Sequence, residues 1–380
     1  MLILNSVSEN NVYLSLGSNM GDRFGYLQKA INLLFENVGT IKGISSIYET
    51  PAMGFDGESF LNCAVWITTE MNASQILTSV LDIEIKMGRE RTTSGVYTSR
   101  PIDIDILFID ETVLDSPDLI VPHPRIGQRK FVLQPMFDLN PKFIHPVSNK
   151  SVAKHLEETL DNSPIIKQDQ RMVNPMEKFD ISRYNYIAIE GNIGAGKTSL
   201  ATKIADDFNA KLILERFKDN PFLPKFYDDA ARYAFPLEMS FLADRYQQLV
   251  DDTTQLDLFK ESVVADYDVN KSLIFAGITL PEEEYALYKK LFQMMHKDLP
   301  KPDLYIYLYQ NTERLLENIK KRGREYEQSI QGEYLKKLNA GYLEFIKNQH
   351  SDNIRMVDIS ERDFVKNRSD YLSVLNEILN

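Results

Sequence analysis

One short segment of the sequence restricts the possible folds more than any other. From Gly191 to Thr198 it reads GNIGAGKT, which matches the pattern G-x-x-x-x-G-K-[ST]. An apolar run from Tyr186 to Glu190 precedes it as a predicted strand, and Ser199 to Phe208 follows as a predicted helix. A strand, a glycine-rich loop and a helix in this order open a parallel α/β domain. We therefore predict this fold for the second half of the chain.

The residue types of the loop predict a binding site for nucleotide phosphates. Glycines allow successive backbone N–H groups to turn toward one anion, the Lys197 ammonium reaches the outer phosphates, and the Thr198 hydroxyl is a ligand for Mg²⁺. The predicted ATP-binding residues are Gly191, Asn192, Ile193, Gly194, Ala195, Gly196, Lys197 and Thr198. GTPases and ATPases share this loop, so the acceptor of the phosphoryl group must be inferred from other residues.

Composition narrows the class of protein. The chain has 380 residues, enough for two domains with separate cores, and 43% of them are hydrophobic and 26% charged. A net charge of −12 argues against a general nucleic-acid binder, and the single cysteine, Cys63, excludes an intramolecular disulfide. The sequence shows no signal-peptide pattern and no apolar run of membrane-spanning length. We expect a cytoplasmic protein that binds neither nucleic acid nor membranes.

The two halves of the sequence differ in their apolar patterns. The first half mixes predicted strands and helices, which indicates an α+β domain. The strands are predicted at Val12–Leu16, Ile41–Tyr48, Ala64–Thr69 and Ile102–Ile109, and the helices at Tyr26–Phe35 and about Ala73–Met87. The second half is mostly helical after the loop, with a second buried strand at Leu304–Tyr309. We predict domains at residues 8–160 and 184–380, joined by a linker at 161–183.

Several segments of the second half resemble the deoxynucleoside kinase family, particularly the bacterial deoxyadenosine and deoxyguanosine kinases, across most of residues 184–380. Glu215 matches the catalytic carboxylate that accepts the proton of the substrate 5′-hydroxyl. Tyr227 and Arg245 match positions that contact the deoxynucleoside. Glu238 stands where many members have a glutamine that reads the base. Because an ionised glutamate only accepts hydrogen bonds, a base with an amino group suits it, and the preferred base stays open.

The same resemblance implies a metal site and a lid. Asp266 resembles the acidic residue that helps to hold Mg²⁺, although Tyr267 replaces the arginine often found next to it. Arg322 and Arg324 resemble the catalytic arginines of a lid over the transferred phosphoryl group. Arginine suits this role because its planar fork binds phosphate oxygens bidentately. Glu327 resembles the lid carboxylate that contacts the sugar 3′-hydroxyl.

The first half lacks a phosphate loop, but two carboxylates offer another way to bind polyphosphate. Asp103 and Asp105 alternate with isoleucines on a predicted strand, which places both carboxylates on one face and the isoleucines in the core. Paired oxygen ligands beside Arg100 favour Mg²⁺ together with a polyphosphate. An isolated D-x-D on a strand is more often an exposed polar face, so this pattern alone leaves both interpretations open.

Six ordered segments resemble the folate-pathway enzyme 6-hydroxymethyl-7,8-dihydropterin pyrophosphokinase, over about residues 10–158. They read LGSNMGDR, YETPAMG, FLNCAV, IEIKMGRER, SRPIDIDILF and VPHPRIGQRKFVLQP. The resemblance implies a ferredoxin-like fold, two Mg²⁺ at Asp103 and Asp105, and catalytic roles for Arg89 and Arg100. It implies ATP contacts at Glu84, His123 and Arg129. It implies a pterin pocket formed by Thr50, Pro51, Phe60, Asn62 and Phe131. Tyr97 stands where a tryptophan is common in that family.

Together these resemblances predict a fusion of two ATP- and Mg²⁺-dependent transferases acting on small molecules. One transfers pyrophosphate to the pterin, and the other phosphorylates the 5′-hydroxyl of a deoxynucleoside, with a purine favoured. Two alternatives remain at this point. The kinase acceptor is a nucleoside monophosphate, or only the kinase is active and the first half is a pterin- or nucleotide-binding regulatory or relic module. The kinase resemblance also implies a homodimer through the kinase domain.

Overall fold

A computed structural model of the chain describes residues 9–52, 55, 57–89, 98–216, 220–254, 262–297, 299–349 and 353–380. Tyr97 lies outside these described residues. The chain divides into two compact units, Met1–Lys178 and Phe179–Asn380, and the division falls within the segment 161–183. Each unit has its own sheet, and each candidate site is therefore built within one unit.

The first unit is an antiparallel sheet with helices, which confirms the predicted α+β class. Its strands are β1 (Asn10–Ser18), β2 (Thr40–Ile44), β3 (Tyr48–Thr50), β4 (Phe60–Thr69), β5 (Asp103–Ile109), β6 (Leu114–Asp115), β7 (Ile120–Val121) and β8 (Ile166–Lys167). Its helices are α1 (Arg23–Asn37), α2 (Ala73–Lys86), α3 (Lys130–Leu139) and α4 (Val152–Glu158). The main sheet has the order β5-β1-β4-β3-β8, β2 also pairs with β4, and β6 and β7 form a separate ribbon.

Strand β5 shows why the D-x-D pattern folds as predicted. Ile104 and Ile106 are each 5% exposed, whereas Asp103 and Asp105, between them in the alternation, are partly exposed. Because alternate side chains of a strand point to opposite faces, the two carboxylates share one face of the sheet. On the α3 side, an aromatic and aliphatic cluster that includes Tyr13 forms part of the core of this unit.

Helix α2 is fixed at its start by a capping box. The Asn72 side chain accepts a hydrogen bond from the Gln75 backbone N–H at 3.0 Å, and the Gln75 side chain accepts one from the Asn72 backbone N–H at 2.9 Å. These bonds satisfy two N–H groups that the helix itself leaves without partners. The capped helix carries Glu84 in its last turn and delivers the chain to Arg89.

Part of the segment 161–183 adds to the first unit. Strand β8 pairs antiparallel with β3 through Tyr48 and Glu49. Farther on, the Asn174 side-chain amide donates to the Ile41 carbonyl at 3.0 Å. This segment therefore forms sheet and loop contacts with the first unit before the second unit begins.

The second unit is a P-loop α/β fold with a parallel sheet. Its strands are β9 (Tyr186–Gly191), β10 (Lys211–Ile213), β11 (Val263–Ala265), β12 (Leu304–Tyr309) and β13 (Ile354–Asp358), in the order β10-β11-β9-β12-β13. Its helices are α5 (Lys197–Asp207), α6 (Leu223–Asp228), α7 (Ala230–Thr254), α8 (Lys271–Thr279), α9 (Glu282–His296), α10 (Thr312–Arg322), α11 (Gly332–Lys347) and α12 (Arg368–Leu379). The predicted strand–loop–helix unit and the strand Leu304–Tyr309 are confirmed, whereas the short strands β10, β11 and β13 were not predicted.

The central strand β9 places the loop at the carboxyl edge of the sheet. β9 pairs in parallel with β11 on one side and β12 on the other, and α5 packs against β9 and β11. The carboxyl ends of parallel strands meet at one edge, which is where open α/β sheets bind their ligands. Within the described residues, every helix is too short or too polar to span a bilayer.

Candidate active sites

In the first unit, strand register assembles polar residues from three strands into one row. Gly17 of β1 lies directly opposite Asp103 of β5 on one side and Asn62 of β4 on the other. Two residues earlier, Ser15 lies opposite Asp105. Residues paired across antiparallel strands share a face, so the two aspartates and Asn62 face the same space. The missing side chain of Gly17 leaves room between them.

A cavity of about 390 Å³ opens over this face. It is lined by Ser15, Gly17, Thr50, Pro51, Phe55, Phe60, Asn62, Arg89, Arg100, Asp103, Asp105, Arg125, Arg129 and Phe131. All five predicted pterin-pocket residues and both predicted metal ligands are among them. Glu84 and His123, predicted to contact ATP, are not lining residues. Ser15, Gly17, Phe55 and Arg125 were missed by the sequence reasoning, because none carries a distinctive signal of its own.

Two arginines converge on Asp103. Arg89 Nη1 lies 2.5 Å from Asp103 Oδ1, and Arg100 Nη2 lies 2.5 Å from Asp103 Oδ2. Arg89 also pairs with Glu84, whose carboxylate accepts a hydrogen bond from the Ile104 backbone N–H at 2.8 Å. Glu84 is 1% exposed. In the structure this glutamate therefore anchors Arg89 to strand β5.

The second carboxylate is short of positive charge. Burial, and then the charge of Asp103, raise the pKa of Asp105 to about 6, against the opposite influence of Arg129 and Arg89. A bound cation would lower this pKa again, because it favours the ionised form. Among the described residues no three His, Cys, Asp or Glu side chains cluster as a metal site. Mg²⁺ fits this set, since it is usually bound through one or two carboxylates plus phosphate oxygens and water.

His123 is held as a neutral ring beside the phosphate end of the cavity. Burial, followed by the charges of Arg129 and Arg125, lowers the pKa of His123 to about 4. Its Nδ1 accepts a hydrogen bond from the Arg125 backbone N–H at 3.2 Å, so it stabilises the turn that carries these arginines. The Arg129 guanidinium lies 5.5 Å from the centre of the Phe131 ring.

At the other end, the cavity has the features of a slot for a flat heterocycle. Asn62 Nδ2 donates to Thr50 Oγ1 at 2.9 Å, and both residues are buried. Phe60 and Phe131 supply aromatic surface, and the Arg100 guanidinium lies 5.4 Å from the Phe60 ring centre. Aromatic walls with a buried amide and hydroxyl can bind a ring and satisfy its polar edge.

Asn19 connects the segments that carry this site. Its Oδ1 accepts from the Arg100 backbone N–H at 2.8 Å, and its Nδ2 donates to the Glu58 carbonyl at 3.2 Å and to Ser99 Oγ at 3.1 Å. Asn19 is 1% exposed. It therefore fixes the backbone of Arg100 independently of the Arg100 side chain.

In the second unit, the phosphate loop has the backbone geometry that the motif requires. Gly194 and Gly196 both have φ of 85°, a region that side chains other than glycine rarely adopt. Lys197 Nζ lies 2.9 Å from the Gly191 carbonyl and 3.1 Å from the Asn192 carbonyl. Burial, and then the nearby charge of Lys271, lower the pKa of Lys197 to about 8.

Two strand ends bring carboxylates to this loop. Asp266 directly follows β11, and its Oδ2 accepts from Thr198 Oγ1 at 2.5 Å. Its Oδ1 accepts from the Glu215 backbone N–H at 2.7 Å, which ties the end of β10 to the same point. The predicted metal ligands Thr198 and Asp266 and the predicted base Glu215 are thus adjacent at the carboxyl edge of the sheet.

Glu215 is gripped by two cations. Arg245 lies 2.7 Å from its Oε1, and Lys271 Nζ lies 2.6 Å from its Oε2. Burial alone would raise the pKa of Glu215, but Lys271 and Arg245 outweigh it and hold this pKa well below its ordinary value. The carboxylate is therefore ionised and can accept hydrogen bonds. Lys271 was missed by the sequence reasoning, because a single lysine after a strand has no motif.

Glu238 lies on α7 inside the second unit, 2% exposed. Its Oε1 accepts from Thr279 Oγ1 at 3.0 Å. Burial raises the pKa of Glu238 to about 7, despite the opposing influence of Arg245. Near neutral pH a large fraction of this side chain is therefore protonated and can both donate and accept, as a glutamine amide does.

The predicted lid residues form one cluster. Both Arg322 and Arg324 pair with Glu327, at 2.5 Å and 3.1 Å respectively. Glu327 is buried, and Tyr227 stacks with the neighbouring Tyr326 at 6.2 Å between ring centres. The structure therefore brings the predicted lid to the predicted substrate tyrosine.

Comparison with known proteins identifies both units. A model of the deoxynucleoside kinase family matches residues 187–380, and a model of the 7,8-dihydro-6-hydroxymethylpterin-pyrophosphokinase family matches residues 13–141. A deoxyguanosine kinase of Bacillus subtilis is 43% identical over 190 residues, which cover 49% of this chain and 92% of that protein. A 2-amino-4-hydroxy-6-hydroxymethyldihydropteridine pyrophosphokinase of Porphyromonas gingivalis is 43% identical over 138 residues, which cover 36% of this chain and 93% of that protein.

A solved structure of deoxyadenosine kinase from M. mycoides with bound dATP is also similar, with 28% identity and a TM-score of 0.45 over 50% of this chain and 99% of that one. The matched ranges do not overlap, and each falls in one unit. The chain therefore belongs to two families at once, the dihydropterin pyrophosphokinases through its first unit and the deoxynucleoside kinases through its second.

Proposed function

We propose that the first unit transfers pyrophosphate from ATP to 6-hydroxymethyl-7,8-dihydropterin. The observation that carries this proposal is the shared cavity, in which two carboxylates and two arginines lie at one end and an aromatic slot with Asn62 lies at the other. The name of the Porphyromonas gingivalis relative supports the same reaction. One cavity thus holds groups for the polyphosphate and groups for the heterocycle.

Each group has a role in this reaction. Asp103 and Asp105 would hold Mg²⁺, which when bound neutralises phosphate charge and polarises the phosphorus under attack. Arg89 and Arg100 stabilise negative charge on the pyrophosphoryl oxygens during transfer. Asn62 and Thr50 orient the pterin so that its hydroxymethyl oxygen faces the β-phosphorus. The new O–P bond forms as the bond to AMP breaks, so AMP is the product that reports this reaction.

We propose that the second unit phosphorylates the 5′-hydroxyl of a purine deoxynucleoside with ATP. The observation that carries this proposal is Glu215, an ionised carboxylate beside the loop lysine and backed by Arg245. A hydroxyl acceptor needs a base, whereas a phosphate acceptor does not, so this placement disfavours a nucleoside monophosphate. The name of the Bacillus subtilis relative supports a purine substrate.

The chemistry follows from the positions of these groups. Lys197 and the loop N–H groups bind the outer phosphates, Thr198 and Asp266 would hold Mg²⁺, and Glu215 accepts the hydroxyl proton as the O–P bond forms. Arg322 and Arg324 are close enough to Glu327 to act together as a lid, with fork-like donors for the transferred phosphoryl group. The leaving group is ADP, which distinguishes this reaction from the first.

A product assay tests both proposals in one sample. Purified chain with ATP and Mg²⁺ is offered the pterin or each of four deoxynucleosides, and AMP and ADP are separated. We expect AMP only with the pterin and ADP only with a deoxynucleoside, fastest with a purine. Asp103→Ala should abolish only AMP formation, and Lys197→Ala only ADP formation. Absence of pterin-dependent AMP would reduce the first unit to a regulatory or relic module.

The family resemblance of the second unit also supports a cytoplasmic homodimer formed through that unit. Leu287 and Met294, both more than half exposed, lie two turns apart on α9 and offer apolar surface for such a contact. Light scattering of the purified chain should give about twice the mass of 43.8 kDa. A monomeric mass at micromolar concentration would contradict this part of the proposal.

A further inference from the structure

The catalytic carboxylate proposed above is held from both sides. Arg245 Nε and Nη2 lie 2.8 Å and 2.7 Å from Glu215 Oε1, and Lys271 Nζ lies 2.6 Å from Glu215 Oε2. The side chains of Arg245, Lys271 and Glu215 are 4%, 8% and 12% exposed. At such burial an ion pair is weakly screened and its geometry is well defined. Each carboxylate oxygen therefore has its own cation.

The chain provides this second cation from an unexpected position. Tyr267, directly after Asp266, is fully buried in the apolar cluster of the second unit and brings no charge to the site. Lys271 stands four residues farther on, as the first residue of α8. A lysine is compact at its charged end and flexible along its stem, so it can reach Glu215 from the start of this helix.

The segment from Asp266 to Ser272 is itself anchored at three points. Asp266 accepts from Thr198 and from the Glu215 backbone, as described above. The Asp268 backbone N–H donates to the buried Glu190 carboxylate at 2.7 Å. Ser272 Oγ accepts from Arg245 Nη1 at 2.7 Å. The first turn of α8 therefore contacts Glu215 through Lys271 and the other cation, Arg245, through Ser272.

We propose that Lys271 is a positioning residue for phosphoryl transfer, which fixes one oxygen of Glu215 so that the carboxylate faces the acceptor hydroxyl. This inference rests on the proposed kinase function. With both oxygens tied to separate elements, the carboxylate cannot rotate, and its lone pairs stay directed into the site. Two cations beside one carboxylate also leave net positive charge near the loop lysine. That charge favours the approach of the ATP phosphates.

A purely structural role for Lys271 predicts a different pattern. A buried lysine that only balances charge would affect folding, and its loss would act on the whole unit regardless of the Glu215 side chain. A positioning role acts through Glu215 alone. The two roles therefore differ in whether the effect of replacing Lys271 depends on the carboxylate.

A double-mutant cycle on the full chain separates them. Deoxynucleoside-dependent ADP formation is measured for wild type, Lys271→Met, Glu215→Gln and the double variant, with Lys271→Arg as the conservative variant. We expect Lys271→Met to lower kcat by about 10²-fold, with KM for ATP changed by about threefold at most, because a displaced base mainly affects the chemical step. In the Glu215→Gln background the same change should cost about twofold or less. Lys271→Arg should recover about a tenth or more of the wild-type kcat, since it keeps the charge.

Controls make each outcome decisive. Lys289→Met, which removes an exposed lysine of α9, should leave ADP formation unchanged. Pterin-dependent AMP formation by the same samples checks concentration and integrity, and thermal unfolding checks folding. Equal losses in both backgrounds, or a wild-type kcat in Lys271→Met, would overturn the positioning role. If wild type forms no ADP with any deoxynucleoside, the kinase proposal itself fails, and that result is distinct from both.

Discussion

The two units bind phosphate charge with different parts of the chain. In the second unit the loop from Gly191 to Thr198 presents the peptide backbone, with two glycines at φ of 85° and one lysine. In the first unit the charged groups at the phosphate end of the cavity are side chains, drawn from β5, the segments on either side of it and the start of α3. One site is contiguous in sequence, and the other is dispersed.

This difference affects how each site responds to mutation. A backbone site depends on conformations that most residues cannot adopt, so a methyl group at a loop glycine disturbs every N–H that binds phosphate. A side-chain site divides the work among several groups, so the loss of one leaves the others in place. We therefore expect larger effects from small changes in the second unit than in the first.

The largest effect expected is that of Gly196→Ala. A Cβ at this position would lie 2.8 Å from Phe364 Cζ, and the φ of 85° is strained for alanine. Since the loop must shift, kinase kcat/KM should fall by about 10³-fold, as measured by ADP formation. Gly88→Ala is the matched control, because its φ of 86° is similar but nothing lies within 4 Å of the added Cβ. Similar ADP losses in both variants would show that the loop geometry is not what matters.

Buried charge distinguishes the second unit further, and Glu238→Gln measures it. Because burial raises the pKa of Glu238 to about 7, the folded state holds a proton that the unfolded state releases from about pH 4.5 upward. The stabilisation is complete at low pH and is lost as the pH rises through 7. The glutamine variant has no such proton. Its stability relative to wild type should therefore increase by about 3 kcal/mol between pH 5 and pH 8.

Urea unfolding of the full chain at each pH provides the measurement, and other titrating groups cancel in the comparison with wild type. The charged groups that influence Glu238 are Arg245, Lys271 and Glu215. Asp244→Asn, an exposed change on the same helix, should show no such dependence on pH. A constant difference between Glu238→Gln and wild type would mean that Glu238 is ionised over the whole range.

In the first unit, Arg100→Ala should have the largest effect among the arginines. Its guanidinium contacts Asp103 at 2.5 Å, whereas its backbone is held by Asn19 and stays in place without the side chain. We expect kcat for pterin-dependent AMP formation to fall by about 10²-fold, with ADP formation unchanged. Lys29→Ala, at an exposed position of α1, is the control. A loss of 10³-fold or more would bring this site to the sensitivity of the loop.

The same contrast explains what could be predicted from the sequence. The loop and its flanking strand and helix were predicted because the motif is contiguous and its partners are neighbours in sequence. Asp103 and Asp105 were found from strand alternation, which is also local. Lys271 and Ser15 were missed, because their roles arise only from the strand register and the chain turns that bring distant residues together. The strands β10 and β11 were missed because each has only three residues, too few for a pattern.

Gly17→Ala gives the smallest expected effect and tests the dispersed site most directly. Gly17 lies in a regular strand, so alanine fits its backbone, but the added Cβ would lie 3.1 Å from Asn62 Oδ1 and 3.5 Å from Phe60 Cδ1. The crowding falls at the pterin end, so KM for the pterin should rise about tenfold while KM for ATP and the unfolding midpoint stay unchanged. Gly43→Ala on β2, where the nearest atom is Leu139 Cδ2 at 3.2 Å, is the strand control. If KM for ATP rises instead, the row from Gly17 to Asn62 belongs to the nucleotide, and the two ends of the cavity must be exchanged in the proposed mechanism.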